Sequence, residues 1–251
     1  MLGLAVLVSV LPARAQKPPA KPPTPAPHRD LSGIWYPVGN NGGFGQSFPS
    51  KEPPPLTAWG KMTFDAAKPS SGPREASTTT NDPSLRCDPP GIPRIFFLPR
   101  PLEIAYIPGR MLIFYETNST VREIWMDGRK LPEDPDPWWY GHSVGKWEDD
   151  FTFVVETLGF NERTWLDSFG HPHSDQLHLT ERYTRREHDT LAVQITVVDP
   201  KAYTKPWVGE PRTYKPRPNW ELEESYCSIE DEQNYFKGVT LPAGPASNPT
   251  K

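Results

Sequence analysis

The sequence predicts an all-β fold, an antiparallel β-barrel with long proline-rich loops and one short helix. Thirty-three prolines in 251 residues argue against long helices, because proline removes a backbone donor and clashes with the preceding turn. Short runs rich in β-branched and aromatic residues are separated by Gly, Pro and Asp turns, as is typical of strands. From Leu102 onward the hairpins are sequential, which favours an up-and-down barrel over a sandwich.

The first half of the chain supplies four predicted strands and the helix. Thr57 is a candidate N-cap for a helix over Thr57–Ala67. A Pro-Gly-Arg turn joins the third and fourth strands into a hairpin. The predicted strands here are Leu31–Tyr36, Arg94–Leu98, Leu102–Ile107 and Met111–Glu116.

The second half supplies five more strands. The first of them enters an Asp-Gly turn, and the sequence Glu187–Thr190 closes a clear hairpin. The predicted strands here are Val121–Met126, Phe151–Thr157, Gln176–Arg186, Leu191–Val198 and Trp220–Tyr226.

Strand alternation places a carboxylate on an apolar face. Leu177, Leu179, Glu181 and Tyr183 share one face of their strand, because successive side chains of a strand point to opposite sides. A buried carboxylate needs a partner or an unusual pKa. Arg122, beside Ile124 and Met126 on its own strand, is a candidate partner. The pair is either a structural ion pair or part of a site.

The two ends of the chain carry segments that are not expected to join the domain. Leu2–Leu11 is too short to span a bilayer, and Ala13-Arg14-Ala15 then matches a signal-peptidase site, so residues 1–15 are predicted to be a signal peptide. Residues 16–29 are a Pro-rich linker, 30–240 a single β-barrel domain and 241–251 a flexible tail. The mature protein is therefore expected to be secreted or periplasmic, with no stable membrane insertion.

Cysteine content and charge narrow the classes of function. The two cysteines, Cys87 and Cys227, are expected to form a disulfide in an oxidising compartment. The net charge is −4 with both signs mixed along the chain. Nucleic acid is not an expected partner, because there is no basic stripe.

Candidate site residues concentrate between Trp138 and Glu181. This stretch holds four of the six histidines and four of the nine tryptophans. The open end of the barrel is predicted to be formed by two of its loops, Trp138–Gly145 and Gly170–Asp175. The site is therefore expected at the mouth of the barrel.

Two sets of motifs resemble known families. Gly33-Ile34-Trp35 resembles the G-x-W opening of lipocalin-like barrels, which implies a lipocalin-like fold. The chain from Asp30 to Cys227 also resembles a broad family of secreted bacterial proteins, on motifs such as Gly141–Glu148 (GHSVGKWE) and Gly170–Ser174 (GHPHS). The resemblance implies secretion, this fold and the location of the site, rather than a particular reaction.

Binding of a small molecule is the leading hypothesis for function. Aromatic faces bind flat or amphipathic ligands, although several tryptophans could instead fill the core. An envelope structural role is a third, weaker hypothesis, and the oligomeric state is left open. The predicted ligand-binding residues are Trp138, Trp139, Tyr140, Arg122, Trp165 and Trp207.

An enzyme of the lyase, isomerase or hydrolase class is the alternative. His142 or His173 would carry a proton, Glu181 would orient it or act as base, and Tyr183 would donate to a developing oxyanion. The sequence Gly141–Gly145 lacks the strand–turn–helix context of a serine nucleophile elbow. His171 and His173 could also hold a zinc ion, although no specific metal-ligand spacing is present.

Overall fold

The computed structural model describes residues 24–38, 47–76 and 78–228. The predicted signal peptide, most of the linker and the predicted tail lie outside these residues. Within them, one α-helix is found, α1 (Ala58–Ala66), and Thr57 caps it by accepting a hydrogen bond from the Gly60 amide at 3.0 Å. No helix in the described ranges has both the length and the apolar composition needed to cross a membrane.

Ten strands form one sheet that closes on itself. β10 pairs with both β1 and β8, so the first and last strands lie side by side, and β9 and β10 share one edge of β8. The all-β barrel predicted from the sequence is confirmed. The strands are β1 (Gly33–Pro37), β2 (Leu102–Ile107), β3 (Arg110–Tyr115), β4 (Thr120–Trp125), β5 (His142–Trp147), β6 (Thr152–Leu158), β7 (His178–Glu187), β8 (Thr190–Val198), β9 (Trp207–Val208) and β10 (Arg212–Pro216).

Three of the sequence-based assignments are wrong. Arg94–Phe97 is a buried 3-10 helix that follows Pro93, and its continuous apolar run has no strand alternation. Trp220–Tyr226 forms no strand. Residues His142–Trp147 form β5 in the barrel wall rather than a loop at its mouth, and Gly170–Ser174 is a buried loop.

The barrel interior is filled by side chains. Alternate residues of β7 and β8 are buried, as the strand periodicity predicts. Trp35, Phe96 and Phe153 are among the largest side chains of this core. The interior that the described residues form is therefore a packed core.

One joint of the barrel, between β4 and β5, differs from the others. It is parallel and has a single paired position, Trp125 opposite Val144. The neighbouring joint, β5 to β6, is antiparallel and runs the full length of both strands. We call the β4–β5 joint the seam.

The predicted disulfide between Cys87 and Cys227 is confirmed. The two Cα atoms are 5.4 Å apart, and the bridge closes a separation of 140 residues. Just before Cys227, the backbone of Ser225 exchanges hydrogen bonds with the Ser119 hydroxyl at 3.2 and 3.3 Å. The bridge thus holds the end of the described chain beside the start of β4.

Candidate functional site

A cavity of about 750 Å³ lies over the seam, on the outside of the barrel. Parallel strands cannot be joined by a tight turn and need a long crossover. Here the crossover is residues 126–141, which contains no helix. It folds back over the outward face of β4, where Val121 and Glu123 are exposed, and the space left between them is the cavity.

Four aromatic side chains line this cavity: Trp125, Trp138, Trp139 and Tyr140. Trp138 is 56% exposed, and its ring stands on the His142 ring with centroids 4.0 Å apart. Its backbone is fixed, because its amide donates to Gly159 O at 2.9 Å and its carbonyl accepts from the Asn161 amide at 3.0 Å. An exposed tryptophan on a fixed backbone offers an apolar face to a ligand with little ordering cost.

Arginine side chains lie over the rings of the other two tryptophans that line the cavity. The Arg129 guanidinium lies 3.3 Å from the centre of the Trp125 ring, and Arg110 lies 4.8 Å from it. Arg163 lies 4.5 Å from the centre of the Trp139 ring. Such contacts orient an aromatic side chain through the negative potential of its face.

His142 is the one predicted proton carrier that lines the cavity. Its position depends on Gly141, which has φ +61°, and a Cβ there would lie 2.7 Å from Leu158 O. Nε2 of His142 lies 2.9 Å from the Asp136 carbonyl oxygen. A carbonyl only accepts, so the proton of the neutral ring sits on Nε2 and Nδ1 carries the lone pair.

Behind the floor of the cavity, Arg122 forms a buried ion pair with Glu181. Two guanidinium nitrogens lie 2.8 and 2.7 Å from the two carboxylate oxygens. Tyr183 donates its hydroxyl to the same carboxylate at 2.6 Å. Burial raises the pKa of Tyr183 well above its usual value, and the Glu181 charge raises it further, so the phenol keeps its proton.

The same guanidinium ties together four consecutive strands. From β4, Arg122 donates to Ser143 of β5 at 3.0 Å and to Thr157 of β6 at 2.8 Å, in addition to Glu181 of β7. The seam has a single backbone pairing. These side-chain hydrogen bonds therefore join the strands at the seam, where other strand pairs of the barrel are joined by backbone hydrogen bonds. Of the two roles the sequence left open for this pair, its geometry supports the structural one.

The predicted catalytic set is not brought together. Inside the barrel, Glu181 is bonded to Arg122 and also accepts the Tyr183 hydroxyl. His173 lies elsewhere, with Nε2 2.7 Å from the Thr164 hydroxyl and Nδ1 3.2 Å from Ser174 O. Burial lowers the pKa of His173 below its usual value of 6.5, so this ring is neutral at pH 7. Only His142 of the four lines the cavity.

The predicted zinc ligands are occupied by other bonds. His171 Nδ1 lies 2.5 Å from a carboxylate oxygen of buried Asp167, and its ring stacks on Phe64. Although burial alone would raise the pKa of Asp167, His171 and the amides of Phe48 and His171 lower it. No group of three His, Cys, Asp or Glu side chains suited to a metal occurs among the described residues.

The six predicted ligand-binding residues divide between different places. Trp138, Trp139, Tyr140 and Arg122 line the cavity over the seam. Trp207 is buried against Phe48 and Tyr203, so it belongs to the core. Trp165 lies apart from the cavity, beside Arg94.

Several lining residues were not among the site residues predicted from the sequence, including Trp125, Arg129 and Lys130. The sequence does contain an indication for Trp125. Strand alternation in Val121–Met126 places it on the face of the strand away from the buried Arg122 and Ile124. Trp125 also lies two residues before the Asp127-Gly128-Arg129 turn, which brings Arg129 close to it along the chain.

In comparisons with known proteins, the chain matches no family model, no curated protein and no solved structure.

Proposed function

We propose that this protein binds a small aromatic molecule in the cavity over the seam. One observation carries the proposal: Trp125, Trp138, Trp139 and Tyr140 converge on a single cavity of about 750 Å³, within the range of small-molecule sites. His142 Nδ1 is available to accept a hydrogen bond from a ligand hydroxyl, since no described residue donates to it.

The buried residues support binding more than catalysis. An acid–base enzyme needs its proton carriers in one cavity. Here His142 lines the cavity, whereas Glu181 is bonded to Arg122, Tyr183 to Glu181 and His173 to Thr164. The binding proposal needs none of these three residues to be free.

Titration calorimetry with phenol, indole, 2-naphthol and benzyl alcohol tests the proposal. Trp138→Ala should weaken binding of any compound that binds by about two- to ten-fold, the range of one aromatic contact. Trp220→Ala is the matched control, because Trp220 is 46% exposed and does not line this cavity. The proposal fails if none of the compounds binds at millimolar concentration, or if both variants bind like the parent protein.

We further propose that the protein is exported from a bacterial cell. The apolar run and cleavage pattern at the N-terminus, the resemblance to secreted proteins and the Cys87–Cys227 disulfide all support export. Mass spectrometry of the protein recovered from the periplasm of a bacterial host should find a chain that begins at Gln16. A full-length chain with reduced cysteines in the cytoplasm would contradict this.

A further inference from the structure

We infer that the aromatic ligand of this cavity carries an anionic group, such as a carboxylate; the inference rests on the proposed function. It depends on the charges around the cavity and on which of them are already neutralised.

Three of the four charged residues in the lining have a partner. Arg122 is neutralised by Glu181 inside the barrel, and Arg129 is paired with Asp127 at 2.6 Å. Glu123 is the one carboxylate of the lining, and Arg110 pairs with it at 3.0 Å. These pairs contribute no net charge to the cavity.

Lys130 is the charge that remains. It is exposed, it lines the cavity, and no acidic group of the described residues lies within ion-pair distance of it. Glu133, Asp134 and Asp136 are also on the crossover, but they are exposed and do not line the cavity. A ligand whose ring contacts the tryptophans would therefore meet an uncompensated ammonium at the rim.

The aromatic wall and the ammonium select for one chemical class. An apolar ring removes the tryptophan faces from water, and an anion on the same ring neutralises Lys130. A neutral ring would leave that charge unmatched, and a cationic ring would be repelled. The favoured ligand is an aromatic acid rather than an aromatic alcohol or amine.

Matched probes of equal ring size test this inference by calorimetry. Benzoate should bind more tightly than benzyl alcohol, and 2-naphthoate more tightly than 2-naphthylmethanol. Lys130→Ala should weaken binding of the two acids about two- to five-fold, as expected for an exposed ion pair, and leave the alcohols unchanged. Raising the salt concentration should reproduce part of this loss for the acids.

Lys146→Ala is the control variant, because Lys146 is exposed on β5 and does not line the cavity. It should leave all four affinities unchanged. If the alcohols bind as tightly as the acids, or Lys130→Ala affects both classes equally, the inference is overturned while the proposed function stands. If none of the four probes binds while phenol, indole or 2-naphthol does, the inference fails and the proposed function stands. If no compound of either panel binds, both fail.

Discussion

The barrel is closed in two different ways on neighbouring sides. From β5 to β8 the strands are antiparallel, and their backbones are paired along most of their length. At the seam one backbone position is paired, and the Arg122 guanidinium bonds β4 to β5. The Thr120 and Tyr140 hydroxyls, 3.3 Å apart, join β4 to the end of the crossover. The cavity lies on the side that is closed by side chains.

The difference shows how one irregular joint creates both a weak point and a site. A parallel joint forces a long crossover, and the crossover covers an outward face that carries Trp125 and Val121. A tight antiparallel turn would have left no room for a cavity. As a consequence, the pairing of β4 with β5 depends on the buried Arg122 guanidinium, and a buried charge is stable only while every partner is present.

The largest expected effect comes from removing that charge. Arg122→Leu leaves Glu181 buried without a cation and should lower the free energy of unfolding by about 3–5 kcal/mol, measured by urea denaturation at pH 7. Arg182→Leu on β7 is the control, because its ion pair with Glu148 is on the surface and should cost at most about 1 kcal/mol.

A triple variant separates lost charge from lost packing. Arg122→Leu combined with Glu181→Leu and Tyr183→Phe removes both charges and the hydroxyl that donates to Glu181, while Ser143 and Thr157 keep their mutual bond at 3.1 Å. It should recover most of the lost stability. A triple variant no more stable than the single one would show that the seam does not depend on charge compensation.

The disulfide should have the next largest effect. Replacing both cysteines by alanine releases a long loop and should cost about 2–4 kcal/mol. Because Ser225 is held at Ser119, just before β4, amide exchange should speed up more in β4 than in β6. Equal acceleration of amide exchange in the two strands would show that the disulfide does not stabilise the seam in particular.

The pH dependence of stability should come from a residue away from the seam. The pKa of His173 is lowered by burial from 6.5, so below that pH the unfolded chain binds more protons than the folded one. Stability is complete above about pH 6.5 and falls as the pH is lowered, by at most about 1.4 kcal/mol per pH unit for one proton.

His173→Gln should flatten this slope between pH 7.5 and 5, and Arg122→Leu should leave it in place. Urea denaturation at each pH gives both slopes. If Arg122→Leu flattens the slope and His173→Gln does not, the assignment of the titrating group is wrong.

The smallest expected effect is at the Tyr140 hydroxyl. Tyr140→Phe removes a half-buried hydrogen bond between β4 and the end of the crossover, next to the seam, and should cost about 0.5–1 kcal/mol. Tyr36→Phe on β1 is the matched control, since its hydroxyl makes a weaker contact, 3.5 Å from Pro99 O, at a joint with backbone pairing. Equal losses in the two variants would remove the distinction between the joints.

Local sequence patterns predicted the regular side of the barrel well. Alternation in β7 and β8 identified the strands and their buried faces, including Glu181. It also identified Arg122, which shares a strand face with Ile124 and Met126, as a candidate partner for that carboxylate. These features depend on a two-residue repeat, which a single strand displays in its own sequence.

The irregular side could not be predicted in the same way. β5 contains Gly145 between Val144 and Lys146, so its sequence lacks an apolar alternation and was interpreted as a loop. β9 and β10 are short, and Gly209, Glu210 and Pro211 separate them, so the sequence does not reveal that both pair with the same edge of β8. The cavity arises from where the crossover packs, and that is decided by contacts between distant parts of the chain.

β1 and β10 lie side by side, with Trp35 opposite Pro216. The strand pairing of the barrel therefore does not require the chain to begin at β1 and end at β10. A circular permutant could join these two strands by a short linker and open the chain instead at the exposed Gly128, within the crossover. Every backbone ladder of the barrel would be retained. The crossover that lines the cavity would then carry the new chain ends, and a reporter domain fused there would be placed directly beside the cavity.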